Sequence, residues 1–246
     1  MRSIILAAGR GSRLGDLTAG RPKCLVELFG KPLVQWQIES LRRAGAERIG
    51  IVRGYRADLL DGYGTDKFDN PLWGTTNMVM SLVEARSWLR ETGCVVSYSD
   101  IVYPAAAVRL LETTGPIALT YDVNWLSLWS RRFVDPLADA ETFRVDASGN
   151  VVDIGRRASS VEEIAGQYMG LLRISPEGWQ WIEALLDEVE PETRFRLDMT
   201  SLLSRLIAAG RPVEGVPFDG TWGEVDCPED LAVYQAVPDL PARLSA

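Results

Sequence analysis

The chain has 246 residues, 46% of them hydrophobic and 24% charged, a composition typical of a globular protein that buries one sizeable core. Its formal net charge of −8 opposes broad contact with nucleic-acid backbones, because that contact depends on clustered Lys and Arg. The chain contains no histidine, which excludes Ser-His-Asp triads, Cys-His pairs, HExxH zinc sites and every base built on imidazole. Its chemistry must therefore use carboxylates, cations, hydroxyls and bound metal.

The cysteines and the apolar runs indicate the cellular compartment in which the protein is expected. Cys24, Cys94 and Cys227 lie far apart and form no CxxC pair, so neither a zinc site nor a disulfide framework is expected. No stretch approaches the roughly 18 apolar residues of a membrane span. The apolar run at the start is only about five residues long and predicts a buried strand rather than a signal peptide. We expect a cytoplasmic protein.

Short apolar runs alternate with amphipathic stretches in the first half of the chain, a pattern that predicts βαβ units around a parallel sheet. The predicted strands are residues 3–7, 49–52, 94–97 and 117–121, and the predicted helices are residues 32–44, 76–89 and 104–111. A glycine- and arginine-rich loop follows the first strand. Asp100 follows the third strand, and open α/β sheets bind ligands at such carboxyl ends.

The pattern changes between residues 122 and 160, where aromatic and charged residues mix. Short strands are predicted there at residues 142–146 and 151–155, and we expect a small substrate-facing lobe. The sheet resumes at residues 167–174, followed by helices at 176–189 and 199–209 and a strand at 213–217. Residues 238–246 are expected to be a loose tail, so the prediction is a single domain over residues 1–237.

The glycine-rich loop is the strongest functional signal. It reads Leu-Ala-Ala-Gly-Arg-Gly-Ser-Arg-Leu over residues 6–14, with Arg-Pro-Lys at residues 21–23. Small residues after a strand let the backbone approach a ligand, and exposed N–H groups with cationic side chains can hold a triphosphate. A dinucleotide fingerprint would need glycine at Leu14, and a P-loop would need Gly-Lys-Ser/Thr. The loop alone fits a structural turn equally well, but Arg13 and Lys23 favour phosphate binding.

This loop, with Leu-Thr at residues 17–18 and Pro-Lys at 22–23, resembles the signature of the sugar-phosphate and phosphocholine nucleotidyltransferase superfamily. The resemblance implies a Rossmann-like, GT-A-like α/β fold with a mixed, mostly parallel sheet flanked by helices. It also implies catalytic roles for Arg13 and Lys23 at the phosphates. The nucleotide-binding residues that it implies are Leu6, Ala7, Ala8, Gly9, Gly11, Thr76, Asn77 and Ser99. Thr76 or Asn77 fits a helix N-cap almost as well.

Two aspartates are candidate magnesium ligands. Mg²⁺ prefers hard oxygen ligands and commonly takes one or two carboxylates plus substrate phosphates. In the superfamily, one metal-binding Asp follows a central strand, and another lies late in the chain in a Val/Ile-Asp-x-x-x-Asp-Leu context. The resemblance therefore implies that Asp100 and Asp226 hold Mg²⁺, since residues 225–231 read Val-Asp-Cys-Pro-Glu-Asp-Leu. Asp226 or Cys227 also suits the cap of a helix that begins at Pro228, and both roles can coexist.

The acceptor site is predicted from residues 121–129, where aromatic faces and a carboxylate suit an ammonium group. Tryptophans four residues apart fit a helical packing stripe equally well. The arginines at positions 131, 132, 156 and 157 suit a phosphonate or, equally, an exposed surface. Residues 167–170 resemble a family strand that closes the acceptor pocket, although a core strand would show the same residues. The predicted acceptor-binding residues are Tyr121, Asp122, Trp125, Trp129, Arg156 and Tyr168.

The overall pattern is most similar to the phosphocholine and phosphonate cytidylyltransferase branch. It predicts Mg²⁺-dependent transfer of CMP from CTP to a small acceptor such as 2-hydroxyethylphosphonate, 2-aminoethylphosphonate or phosphocholine, with release of pyrophosphate. An ionised acceptor oxygen needs no general base, which agrees with the lack of histidine. Two alternatives stay open: a sugar-1-phosphate nucleotidyltransferase that uses UTP, dTTP or GTP, and a nucleotide-binding regulatory module without turnover. Neither nucleic acid nor a membrane is expected as a partner.

Overall fold

A seven-stranded sheet forms the centre of the computed structural model, which describes residues 1–246. With strands numbered along the chain, its spatial order is β12 (Glu214–Phe218), β8 (Ile117–Asp122), β11 (Gln167–Ile174), β6 (Cys94–Tyr98), β1 (Arg2–Ala7), β4 (Arg48–Arg53) and β5 (Asp66–Asp69). Neighbouring strands are parallel except at β11, which is antiparallel to both β6 and β8. The prediction of a mixed, mostly parallel sheet is confirmed.

Three short antiparallel pairs lie outside this sheet. They are β2 (Glu27–Leu28) with β3 (Lys31–Pro32), β7 (Ile101–Val102) with β13 (Gly223–Glu224), and β9 (Glu141–Val145) with β10 (Val151–Arg157). The strands predicted at residues 142–146 and 151–155 form the β9–β10 hairpin. The β7–β13 pair joins the segment after β6 to a segment near the end of the chain.

Ten α-helices pack around the sheet. They are α1 (Leu33–Arg43), α2 (Met78–Glu84), α3 (Arg86–Glu91), α4 (Ala105–Arg109), α5 (Trp125–Arg132), α6 (Pro176–Glu188), α7 (Pro191–Arg196), α8 (Met199–Ala208), α9 (Pro228–Gln235) and α10 (Leu240–Leu244). In α1, Leu33, Trp36 and Leu41 recur at helical spacing and are buried. Arg42 and Arg43 lie in its last turn, where cations interact favourably with the helix dipole.

The two faces of the sheet bury separate hydrophobic cores. Alternate residues of β1 enter opposite cores, Ile5 on one side and Ile4 on the other, because successive strand side chains point to opposite faces. The first core includes residues of α1, α4, α5, α9 and α10, and the second includes residues of α2, α3, α6 and α8. Burying one such aliphatic side chain contributes about 1.5–3 kcal/mol. Because helices pack on both faces of the sheet, the ends of the strands are held in fixed positions.

Two sequence predictions differ from the structure. The helix predicted at residues 76–89 is divided into α2 and α3 at Ala85, whose backbone (φ −93°, ψ 12°) leaves the helical region. The expected loose tail instead contains α10, because Leu240 and Leu244 lie four residues apart and pack into the first core at 3% and 1% exposure. None of the helices combines the length and the apolarity that crossing a bilayer requires.

Candidate active site

Two cavities adjoin at the carboxyl ends of β1 and β6, and Met78 and Tyr98 line both of them. The first cavity has a volume of about 180 Å³ and the second of about 310 Å³. The residues that line the first cavity are Leu6, Ala8, Gly9, Lys23, Trp73, Thr76, Asn77, Met78, Ser81, Tyr98, Ser99 and Asp100. The structure therefore brings together six of the eight predicted nucleotide-binding residues, together with Lys23 and Asp100.

The other two predicted nucleotide-binding residues lie next to the first cavity without lining it. Ala7 is 1% exposed and belongs to the hydrophobic core on the α1 side of the sheet. Gly11 has a φ of +77°, and a Cβ atom there would meet the Cβ of Lys23 at 2.6 Å. Glycine at this position therefore permits both the left-handed backbone and the path of the Lys23 side chain.

Thr76 and Asn77 lie immediately before the first residue of α2 and are fixed there by hydrogen bonds. The Asn77 side chain accepts a hydrogen bond from the Met78 N–H at 2.8 Å and donates one to the Arg196 carbonyl at 3.1 Å. The cap role considered from the sequence is therefore present, and the same side chain lines the cavity. The Thr76 hydroxyl donates to the Leu72 carbonyl at 2.9 Å, which orients it beside the cavity.

Sequence reasoning missed a buried amide that supports this wall. Asn70 is 2% exposed, and its side-chain N–H groups donate to the hydroxyls of Thr76 at 3.1 Å and Ser81 at 3.0 Å. Its side-chain oxygen accepts the Leu72 N–H at 2.9 Å. The Asn-Pro pair at residues 70–71 signals only a turn. Nothing local indicated these contacts, which depend on packing between the β5–α2 loop and α2.

Lys23 lies between the two aspartates that the sequence singled out. Its Nζ donates to Asp100 Oδ2 at 2.7 Å and also to Asp226 Oδ1, 203 residues along the chain. Arg13 Nη1 lies 2.8 Å from the other carboxylate oxygen of Asp226. Burial alone lowers the pKa of Lys23, but the charges of Asp100 and Asp226 outweigh it and hold that pKa above its ordinary value. Lys23 is therefore a positively charged ammonium group in this site.

The β7–β13 pair explains how two distant aspartates meet. Ile101 of β7 lies opposite Glu224 of β13, and the Val225 N–H donates to the Asp100 carbonyl at 2.9 Å. One carboxylate oxygen from each of Asp100, Glu224 and Asp226 lies within 4.8 Å of the others. Sequence reasoning did not identify Glu224, because its place in the cluster follows from this pairing and from no local motif.

The carboxylate cluster of Asp100, Glu224 and Asp226 fits a divalent cation. Its oxygens are the hard ligands that Mg²⁺ prefers, and the buried Oδ1 of Asp100 has no hydrogen-bond partner. Burial first, and then the charge of Asp226, raise the pKa of Glu224. This crowding of negative charge favours a bound cation, which Asp100 and Asp226 would hold.

A buried ion pair between Arg132 and Asp230 holds the backbone at Asp226 in place. Asp230 Oδ2 accepts the backbone N–H groups of Asp226 at 2.7 Å and Cys227 at 3.0 Å, while Arg132 binds both oxygens of Asp230 at 2.8 and 3.2 Å. Cys227 is the N-cap of α9, and Pro228 begins the helix, as the sequence indicated. Because the Arg132 side chain is fully buried and also binds Glu224 at 3.0 Å, it is not free to contact an acceptor.

The second cavity contains two of the six predicted acceptor-binding residues, Trp129 and Tyr168. Arg13 is the only Lys or Arg in its lining. The remaining residues that line it are Met78, Tyr98, Asp139, Glu141, Thr142, Phe143, Ile154, Gln167, Asp198, Met199, Thr200, Glu224 and Asp226. Burial and the neighbouring charge of Asp198 raise the pKa of Glu141. This cavity is therefore markedly acidic.

The other four predicted acceptor-binding residues do not line this cavity. Tyr121 packs on Phe143 with ring centroids 4.8 Å apart, and the carboxylate of Asp122 accepts the Trp222 indole N–H at 2.8 Å. Trp125 lies in the core and donates to a backbone carbonyl, because α5 turns its apolar face inward. Arg156 is exposed and pairs with Asp153 at 2.7 Å. Trp125 therefore follows the alternative interpretation of the sequence, in which the tryptophans of α5 form a helical packing stripe.

Comparison with known proteins places the chain in a family. Residues 3–149 match the model of the MobA-like NTP transferase domain. The chain is also 35% identical over 251 residues to CTP:phosphoglutamine cytidylyltransferase of Campylobacter jejuni subsp. jejuni serotype O:2, which covers 95% of this chain and 98% of that protein. The chain belongs to the MobA-like NTP transferase family. The nucleotidyltransferase resemblance of the glycine-rich loop is therefore confirmed.

Two solved structures share the fold of this NTP transferase. The inositol-1-phosphate CTP transferase from T. maritima aligns over 99% of this chain and 95% of its own, with a TM-score of 0.79 and 22% identity. CTP:phosphocholine cytidylyltransferase from Streptococcus pneumoniae aligns over 96% of this chain and 98% of its own, with a TM-score of 0.75 and 21% identity. At these identities the alignments establish the nucleotidyltransferase fold.

Proposed function

We propose that this NTP transferase moves CMP from CTP to a small phosphate- or phosphonate-bearing acceptor and releases pyrophosphate. The meeting of the two cavities at one charged cluster carries this proposal. Asp100 and Lys23 line the first cavity, Asp226 and Arg13 line the second, and the four side chains form one chain of ion pairs. A nucleotide in the first cavity and an acceptor in the second would therefore bring their phosphorus groups to the same cluster.

The chain's own cations suit the reaction at this cluster. An ionised acceptor oxygen attacks the α-phosphorus, and the bond to the bridging oxygen of pyrophosphate breaks. Lys23 and Arg13 neutralise charge on the phosphates, and the backbone at Ala8 and Gly9 lets the triphosphate approach closely. Mg²⁺ on Asp100 and Asp226 would supply further charge neutralisation. Because no proton is transferred in this step, the reaction does not need a histidine as a general base.

One relative and two structural neighbours favour CTP as the donor. The Campylobacter jejuni relative is a CTP:phosphoglutamine cytidylyltransferase, and it aligns with nearly the whole of this chain. Two of the solved structures with the same fold are an inositol-1-phosphate CTP transferase and a CTP:phosphocholine cytidylyltransferase. In the first cavity, the hydroxyls of Thr76 and Ser81 and the amide of Asn77 offer hydrogen-bonding groups for a base.

The second cavity favours an acceptor with an ammonium group at the end remote from its phosphorus. Asp139, Glu141 and Asp198 supply negative charge, and Trp129 and Tyr168 contribute aromatic residues to the lining, a combination that suits a cation. Phosphocholine and 2-aminoethylphosphonate carry such a group, whereas 2-hydroxyethylphosphonate does not. A neutral sugar would leave these carboxylates without a charged partner.

A substrate panel tests the proposed function. CTP, UTP, dTTP and GTP would each be incubated with Mg²⁺ and phosphocholine, 2-aminoethylphosphonate, 2-hydroxyethylphosphonate or glucose 1-phosphate, and pyrophosphate release would be measured. We expect release with CTP and an ammonium-bearing acceptor. Release confined to glucose 1-phosphate would establish the sugar nucleotidyltransferase instead. CTP binding without release under any acceptor would favour a regulatory module.

A further inference from the structure

Arg132 is buried next to the carboxylate cluster, and its guanidinium group has no access to solvent. Its side chain is 0% exposed, and its three donor nitrogens contact Asp230 at 2.8 and 3.2 Å and Glu224 at 3.0 Å. The guanidinium carbon also lies 5.0 Å from the ring centroids of both Trp129 and Phe133. Arg132 therefore links α5 to the start of α9 and to β13, three segments that meet only in the folded chain.

We infer that Arg132 is a positioning residue that sets the divalent-cation affinity of the carboxylate cluster. It acts along two paths. Through Asp230 it fixes the backbone N–H groups of Asp226 and Cys227, and thus the direction of the Asp226 carboxylate. Through Glu224 it fixes the third carboxylate, whose oxygen lies within 4.8 Å of the oxygens of Asp100 and Asp226.

Charge explains why a third cation is needed. Lys23 and Arg13 are the other two cations at the cluster, and both face the cavities. If the proposed function holds, both turn to the substrate phosphates when CTP binds. Arg132 alone pairs with Glu224 and Asp230, so it stays at the cluster when the other two cations move. Without it, the mutual repulsion of the carboxylates would push Glu224 and Asp226 away from the geometry that binds one ion.

The contacts require the guanidinium group and not merely a positive charge. Arg132 meets Asp230 through a two-nitrogen fork and uses a third nitrogen for Glu224. A lysine ammonium is a compact point charge and does not reproduce this planar fork. Arg132→Lys therefore keeps the charge and removes the geometry. Arg132→Met combined with Asp230→Asn removes both buried charges, so neither is left unpaired in the core.

Manganese binding tests the inference directly. Mn²⁺ alone would be titrated into the wild type, Arg132→Lys and the double variant, and free Mn²⁺ would be followed by electron paramagnetic resonance. We expect the Mn²⁺ dissociation constant to rise at least about tenfold in both variants, the scale typical of residues that orient metal ligands. At saturating metal, the KM for CTP should change less than about threefold.

Arg131 provides the matched control, since it is the preceding residue of α5 and is exposed. Arg131→Lys and Arg131→Met should leave Mn²⁺ affinity unchanged. Folded variants at Arg132 that bind Mn²⁺ as tightly as the wild type, with only a lower Tm, would reduce Arg132 to a structural role and overturn the inference. Failure of the wild type to bind Mn²⁺ would also overturn it. The titration uses no acceptor, so a negative substrate panel leaves its result intact.

Discussion

Lys23 donates a hydrogen bond to Asp100 at 2.7 Å, which joins the loop after β1 to the end of β6. The same ammonium group contacts Asp226, so it lies between the two carboxylates that would hold a divalent cation. Lys23 thus offsets the repulsion between Asp100 and Asp226 in the ligand-free protein. Substrate phosphates would compete for this ammonium group and release the two carboxylates to the metal.

Lys23→Ala is expected to lower turnover at least about 100-fold, because it removes a cation that stabilises charge on the reacting phosphates. Pyrophosphate release at saturating CTP and acceptor measures this effect. Lys31→Ala is the matched control, since Lys31 pairs with Glu39 away from both cavities. Turnover of Lys23→Ala near that of the control would remove Lys23 from the mechanism.

Asp100→Asn should also lower turnover at least about 100-fold with the fold retained, because the amide keeps the side-chain volume and loses the charge that binds metal. The metal concentration needed for half-maximal rate should rise. Asp58→Asn, at an exposed carboxylate paired with Arg56, should change neither quantity. An Asp100 variant with unchanged metal dependence would contradict the assignment of this residue as a ligand.

Gly11→Ala should reduce turnover at least about tenfold, because the new methyl group would meet the Lys23 side chain at 2.6 Å and displace it. Its positive φ adds a strain of about 1–2 kcal/mol. Gly30→Ala separates the two effects, since Gly30 has a φ of +70° and no atom within 4 Å of an added Cβ. Thermal unfolding should show destabilisation in both variants, and kinetics should show lost turnover only in Gly11→Ala. Equal activities would exclude displacement of Lys23.

Glu141→Gln and Asp198→Asn are expected to raise the KM for an ammonium-bearing acceptor about tenfold each, since each removes one charged contact. The KM for CTP should stay unchanged, because neither residue lines the first cavity. Glu163→Gln, on the exposed turn after β10, is the control. Acceptor KM values equal to that of the control would show that the carboxylates of the second cavity do not select the acceptor.

Local signals account for what the sequence predicted well. The loop after β1 and the aspartate after β6 follow buried strands, so burial and glycine placement are visible in a few neighbouring residues, and the Pro-Lys pair at residues 22–23 follows that loop. The periodicity of apolar residues likewise gave six of the seven strands of the central sheet. It missed β5, whose sequence Asp-Lys-Phe-Asp has a single apolar residue. Asp226 required the family resemblance, because its approach to Asp100 depends on β7 pairing with β13.

The acceptor side was predicted less well, for a physical reason. Aromatic residues suit both a ligand-binding wall and a core, and the face of α5 that turns inward is decided by tertiary packing. Trp125 and Trp129 both belong to the first core, and Trp129 also borders the second cavity. Glu224 and Asn70 were missed and Arg132 was given another role in the same way, because each acquires its contacts from segments distant in the chain.

The short ladder between β7 and β13 also sets when the carboxylate cluster can form during synthesis. Asp226 lies 203 residues beyond Lys23, so Glu224 and Asp226 leave the ribosome long after the glycine-rich loop and Asp100. A nascent chain that stops before Gly223 carries Lys23 and Asp100 but lacks the other two carboxylates of the cluster. The cluster therefore forms only after β13 has been made and has paired with β7.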